Sequence, residues 1–172
     1  ALVNNIAPAH LERMQSLLGI ADTKAAIYDA LSHDGVAVIN ADDAFAPYFA
    51  SRAHGRRLLR FGLEASADVT ARDIALDDEG SRFTLVTPAG SAEVQLPLPG
   101  RHNIANALAA SSVALALEVP LATIVQALSA AEPVSGRLVR HRLANGAVLI
   151  DDSYNANPGS LNAAIDTLAA AP

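Results

Sequence analysis

The chain has 172 residues, 51% of them apolar and 17% charged, which is enough for one good core or for one domain and part of another. A formal charge of −6 argues against a general nucleic-acid binder, which would carry a basic face, and the lack of cysteine excludes disulfides and thiolate chemistry. No signal-peptide pattern and no apolar run of membrane length occurs, which points to the cytoplasm without membrane insertion.

Along the first third of the chain the pattern predicts a strand near residues 1–5, a helix over 11–31, a strand over 36–40, a helix over 43–53 and a strand over 57–61. Strand and helix alternate, which implies a parallel sheet. Arg52, His54, Arg56, Arg57 and Arg60 form a local basic run, read as solvated charge bordering the strand at 57–61. Lys24 is the only lysine, against eleven arginines. A phosphate-binding P-loop needs a glycine-rich turn ending in Gly-Lys-Ser/Thr, and Lys24 instead follows Thr23 on a helical stretch, so no such loop is present.

The middle changes character. Segments 68–76, 82–87 and 92–96 are joined by turn residues at 77–80 and 88–90, the signature of a small antiparallel meander. Helices are expected at 103–117 and 121–130, the second beside Pro120. Residues 132–136 are the best linker, and beyond them 137–143 and 147–150 read as a strand pair around the tight-turn dipeptide Asn145-Gly146. A final helix is expected over 161–170.

Two polar clusters stand out. Asn103 and Asn106 lie three apart in the first turns of the helix after Leu96-Pro97-Leu98-Pro99-Gly100, beside His102. A helix start presents free N–H groups, and an asparagine amide matches the donor and acceptor edge of adenine, so a nucleotide site is one reading. Helix capping by Asn103 is the other. In the second cluster the apolar run 147–150 leads into Asp151-Asp152-Ser153-Tyr154-Asn155-Ala156-Asn157-Pro158-Gly159-Ser160. Polar groups at the carboxyl end of a strand sit where open α/β sheets bind ligands, although an ordinary loop capped by Asn157 or Ser160 would look the same.

LPLPGRHNIANALAA, SGRL at 135–138 and LIDDSYNANPGS together resemble the Mur ligase family. NNIAPAHLE at 4–12, DTKAAIYDAL around Lys24 and VINADD at 38–43 match in the same order. The fold implied is α/β, part of a parallel-sheet P-loop-type ATPase domain with a small antiparallel meander, followed by the start of a Rossmann-like domain. Residues 1–132 would be the C-terminal part of the central ATPase domain and 133–172 the start of the next. The DDSYNAN form favours the member that adds D-alanyl-D-alanine to UDP-N-acetylmuramoyl-tripeptide with ATP in peptidoglycan precursor synthesis. Without its P-loop, the chain alone is expected to be an inactive fragment.

The resemblance also implies roles for single residues. His10 would be a magnesium ligand, with Glu12 behind it. Lys24 would carry a carbamate that binds Mg2+, which requires a neutral amine and hence burial or nearby positive charge. Asn103 and Asn106 would address adenine with His102 nearby, Asp152 the ribose hydroxyls, and Arg137 the phosphates. Tyr154, Asn155 and Asn157 would position the nucleotide or the dipeptide. Two alternatives stay open: a sister ligase with another amine substrate, and a non-enzymatic α/β interaction module in which the asparagines only cap helices.

Overall fold

The structure, a computed structural model, describes residues 1–7, 16–77, 79–137, 139–154 and 158–169. The alternating first third folds as expected into a parallel sheet. Its strands are β1 (Leu2–Val3), β2 (Val36–Asn40) and β3 (Arg57–Phe61), in the order β1-β2-β3 with Val3 opposite Ile39 and Val38 opposite Leu59. β2 is central and buried on both faces, which is why it reads as an unbroken apolar run. Its alternation divides the core in two. Val38 packs with Phe61, Phe83, Leu85, Ile104 and Leu108, while Ala37 and Ile39 pack with Ala21, Ala25, Tyr28 and Phe49.

Helices α1 (Leu17–Asp29) and α2 (Ala46–Arg52) cover the second face, and α3 (Arg101–Ala116) covers the first. Ile104 and Leu108 of α3 are fully buried, each contributing about 1.5–3 kcal/mol of apolar burial. Tyr28 ties α1 to the sheet: its hydroxyl accepts from the Val3 N–H at 2.9 Å and donates to the Val38 carbonyl at 2.7 Å. Burial pushes its pKa up to about 12. Two members of the basic run are tied into the structure, while His54, Arg57 and Arg60 are exposed. Arg52 pairs with Asp22 and Asp29 of α1, and Arg56 donates to the Leu31 carbonyl.

The meander forms as β4 (Thr70–Leu76), β5 (Ser81–Thr87) and β6 (Gly90–Leu96), antiparallel in that order, with α4 (Leu121–Ser129) against β6. After the stretch 131–134, which has no regular structure, β7 (Val139–Arg142) and β8 (Val148–Asp151) make a separate antiparallel pair, followed by α5 (Pro158–Ala169). The Asn-Gly turn is present: the Gly146 N–H reaches the Leu143 carbonyl at 3.0 Å, with Gly146 at φ +85°.

Four helix starts differ from the sequence reading. α1 begins at Leu17 and not at residue 11, because Ser16 is extended (φ −157°) and its hydroxyl caps the Gly19 N–H at 3.0 Å. α2 begins at Ala46 and not at 43, because the Asp43 carboxylate is spent on the Ile6 and Phe45 N–H groups. α3 begins two residues early, at Arg101, with Gly100 as its cap at φ +93°. α5 opens on Pro158, whose fixed φ and missing N–H suit the first helical position, so Ser160 lies inside the helix rather than capping it.

Candidate nucleotide site at the carboxyl edge of the parallel sheet

Two of the three parallel strands run directly into asparagine: Val3 of β1 is followed by Asn4 and Asn5, and β2 ends on Asn40. These amides are linked to one another. Asn40 Nδ2 donates to the Asn4 carbonyl at 2.9 Å, and Asn4 Nδ2 donates to Asn106 Oδ1 of α3 at 3.0 Å. Lys24 reaches the same edge from α1, its Nζ donating to the Asn5 carbonyl at 2.9 Å. Asn4, Asn5, Lys24 and Asn106 are all exposed, so this polar edge faces solvent at the strand ends, where open α/β sheets take ligands.

A scaffold of carboxylates shapes the edge beside it. One Asp42 carboxylate accepts from three consecutive backbone N–H groups, Leu63 at 2.6 Å, Glu64 at 3.1 Å and Ala65 at 2.7 Å, and so pins the loop that leaves β3. A Cβ on Gly62 would come within 2.9 Å of Asp42 Oδ1, so only glycine admits the carboxylate there. Asp43 holds the backbone of Ile6 at 2.6 Å, and Glu64 of the pinned loop pairs with Arg101 in the first turn of α3. Asn40 Oδ1 in turn accepts from the Asp42 N–H at 2.9 Å.

The structure divides the residues singled out from sequence. Asn106 and Lys24 converge through Asn4 and Asn5. Asn103 is the third residue of α3, not its cap, and its Nδ2 donates to the Pro99 carbonyl at 2.7 Å, bracing the helix start. His102 is half-buried beside it, and desolvation holds its pKa below the usual histidine value while the Asp152 charge pulls it the other way. Arg137 lies with its guanidinium carbon 4.3 Å from the centre of the Tyr154 ring. His10, Glu12, Asn155 and Asn157 lie outside the described residues. Lys24 is exposed, so the burial that a neutral amine would draw on is not met there. Among the described residues no cluster of three or more His, Asp or Glu side chains is arranged to hold a metal.

Sequence reasoning missed Asn4, Asn40, Asp42 and Asp43 as site builders, although all four fall within motifs quoted from the chain. The available signal was the repetition of an apolar strand ending on Asn, Val3-Asn4 and Ile39-Asn40, which marks the same edge twice.

An α/β domain with a polar, amide-rich carboxyl edge is thus followed by a separate strand pair flanked by Arg137 and Asp152. Residues 1–114 match the Mur ligase middle domain, and the chain belongs to the Mur ligase family. It is 46% identical to the UDP-N-acetylmuramoyl-tripeptide–D-alanyl-D-alanine ligase of Escherichia coli (strain K12), over 100% of this chain and 38% of that protein. The crystal structure I of MurF from Acinetobacter baumannii superposes with a TM-score of 0.94 at 39% identity, covering 98% of this chain and 37% of that one. The MurF ligase of Thermotoga maritima in complex with ADP shares the fold, with a TM-score of 0.83 at 23% identity over 100% of this chain and 39% of that one. The chain thus spans a little over a third of the length of the relatives it matches. No helix among the described residues is long and apolar enough to cross a membrane.

Proposed function

We propose that this chain is part of an ATP-dependent amide-bond ligase that adds D-alanyl-D-alanine to UDP-N-acetylmuramoyl-tripeptide in peptidoglycan precursor synthesis. Residues 1–132 are read as the later part of the central ATPase domain and 133–172 as the opening of the C-terminal domain. The observation that carries the reading is the joined edge: Asn106, Asn4 and, through Asn5, Lys24 are brought together at the carboxyl ends of parallel strands. The match to D-alanyl-D-alanine ligases over the whole chain supports the choice of substrate, and the ADP complex of a protein with this fold supports the nucleotide.

In this reaction the terminal carboxylate oxygen of the tripeptide attacks the γ-phosphorus of ATP, the bond to the bridging oxygen breaks, and ADP leaves. The amine of D-alanyl-D-alanine then attacks the acyl carbon, expels phosphate and loses a proton. Both steps bring anions together, so positive charge must be in place as the transition state forms. Arg137 would meet the phosphates, Asn106 and Asn103 the adenine beside His102, and Asp152 the ribose hydroxyls. Tyr154, Asn155 and Asn157 would border the same nucleotide or the dipeptide.

The described residues hold no ready cluster of metal ligands, so in this reading Mg2+ would depend on a carbamate at Lys24 together with His10. Lys24 presents its amine to solvent, where carbon dioxide can reach it, and a carbamate there would give a hard oxygen ligand of the kind magnesium takes, with His10 as the second protein group. When bound, the metal would neutralise phosphate charge. Phosphate release by the full-length protein tests the reading, with ATP, magnesium and UDP-N-acetylmuramoyl-tripeptide, and D-alanyl-D-alanine compared with single amino acids. Release with the dipeptide alone is expected. Release with a single amino acid would move the protein to a sister ligase, and none with any amine would leave a non-enzymatic module.

A further inference from the structure

Tyr154 is a large aromatic residue that is 64% exposed, so core packing does not account for it. What it does meet is Arg137, whose guanidinium carbon stands 4.3 Å from the ring centre, within cation–π distance. The backbone beneath both side chains is locked. The Tyr154 N–H donates to the Gly136 carbonyl at 2.9 Å, so the residue just before Arg137 is bonded to Tyr154 itself. Gly136 is buried at φ +73°, and a Cβ there would lie 3.0 Å from the Tyr154 nitrogen and 3.2 Å from its Cβ. Glycine is therefore needed twice over, for its left-handed backbone and for the close approach.

The stretches that enter β7 and leave β8 are thus fastened together at the point where Arg137 and Tyr154 emerge. Asp152, two residues before Tyr154, is the group read above for the ribose hydroxyls, so in that reading this fastening lies next to the nucleotide. An exposed arginine left to itself samples many rotamers, and each productive encounter with an anion must first select one. An aromatic face held by its own backbone removes much of that search. It does so without consuming the guanidinium's in-plane N–H donors, which stay available to phosphate oxygens.

We propose that Tyr154 is a positioning residue for Arg137, its ring holding the guanidinium with its donors free to engage the phosphates of the nucleotide. The proposal rests on the ligase reading above, in which Arg137 meets those phosphates. It requires an aromatic face at 154 and no hydroxyl.

Two readouts on the full-length protein test it. In NMR, the Arg137 side-chain Nε–Hε resonance, assigned through Arg137→Lys, should carry a ring-current shift that survives Tyr154→Phe and collapses in Tyr154→Leu. In phosphate-release kinetics, Tyr154→Phe should turn over clearly faster than Tyr154→Leu. Tyr154→Leu should lower kcat by about three- to tenfold, the size of one cation–π contact, with a smaller change in KM for ATP. In an Arg137→Ala background, Tyr154→Leu should cost nothing more. The proposal is overturned if Tyr154→Leu matches wild type, if Tyr154→Phe is as poor as Tyr154→Leu, or if the Arg137 and Tyr154 losses multiply independently, as a direct tyrosine contact with the ligand predicts. Wild-type turnover by Arg137→Ala would instead remove the phosphate role of Arg137. The resonance would then still report whether the stack exists.

Discussion

At the residue scale, His102 shows how one half-buried group couples the site to solution conditions. Its imidazole sits in the first turn of α3, and desolvation disfavours the charged form more than the Asp152 carboxylate favours it, so the folded pKa lies below the ordinary histidine value of 6.5. Between the folded and the unfolded pKa the unfolded chain binds more protons, so stability rises with pH across that window. The contribution is fully present above about pH 6.5 and is lost as pH falls toward and through the folded value. Thermal unfolding of wild type and His102→Gln across neutral to mildly acidic pH should therefore show wild type losing ground to the variant below about pH 6.5. Parallel profiles would mean that the histidine is as easily charged in the fold as out of it. Asn103 carries a different lesson at this scale. Its position in the sequence admitted a cap or an adenine contact, and its Nδ2 braces the Pro99 carbonyl from the third helical position instead of capping the helix.

At the scale of elements, the carboxyl edge is organised by Asp42, which gathers the N–H groups of Leu63, Glu64 and Ala65 onto one carboxylate. In Asp42→Ala those three donors must turn to water. Their location at the surface keeps the loss local, because solvent can replace the bonds. Amide hydrogen exchange at 63–65 should accelerate by about tenfold or more, the equivalent of roughly 1.4 kcal/mol of local opening, while the amides of β2 and β3 keep their protection. Unchanged exchange in the loop would show that the backbone holds itself. The elements themselves were largely legible in the chain. β2 and the meander announced themselves by apolar runs and turn residues, and their residues pack as those runs predict. The starts of α1 and α2 were not legible, since Ser16 and Asp43 end the helical pattern through side-chain bonds to backbone that leave apolar periodicity unmarked. The site was legible in its outline for a related reason. Asn106 and Lys24 lie in recognisable motifs, but their meeting runs through Asn4 and Asn5, more than 15 residues from one and about 100 from the other, and no local pattern encodes so long a contact.

For the molecule as a whole, the unusual quantity is charge: a net −6 with a single lysine, in a protein proposed to bring a triphosphate and a carboxylate together. In that reading the net negative charge of this chain would repel both substrates, and local positive groups and a metal would have to offset it. Under the proposed chemistry, Lys24 serves that end by becoming an anion. A carbamate would put a carboxylate-like group where the chain holds an amine, and magnesium bound to it would restore the two units of positive charge lost, now as a divalent ion suited to phosphate oxygens. Lys24→Arg separates this from a simple cation role, because a guanidinium keeps the charge but is too weak an acid to lose its proton and capture carbon dioxide. In the full-length protein Lys24→Arg should lower phosphate release by roughly 100- to 1,000-fold, the range for losing one major transition-state stabiliser. Wild type stripped of carbon dioxide should weaken and recover with bicarbonate, whereas Lys24→Arg should respond to neither. Substantial turnover by Lys24→Arg, or a wild-type rate indifferent to bicarbonate, would leave Lys24 as a plain cation tethered to the Asn5 carbonyl, and the metal would then have to be held by other groups.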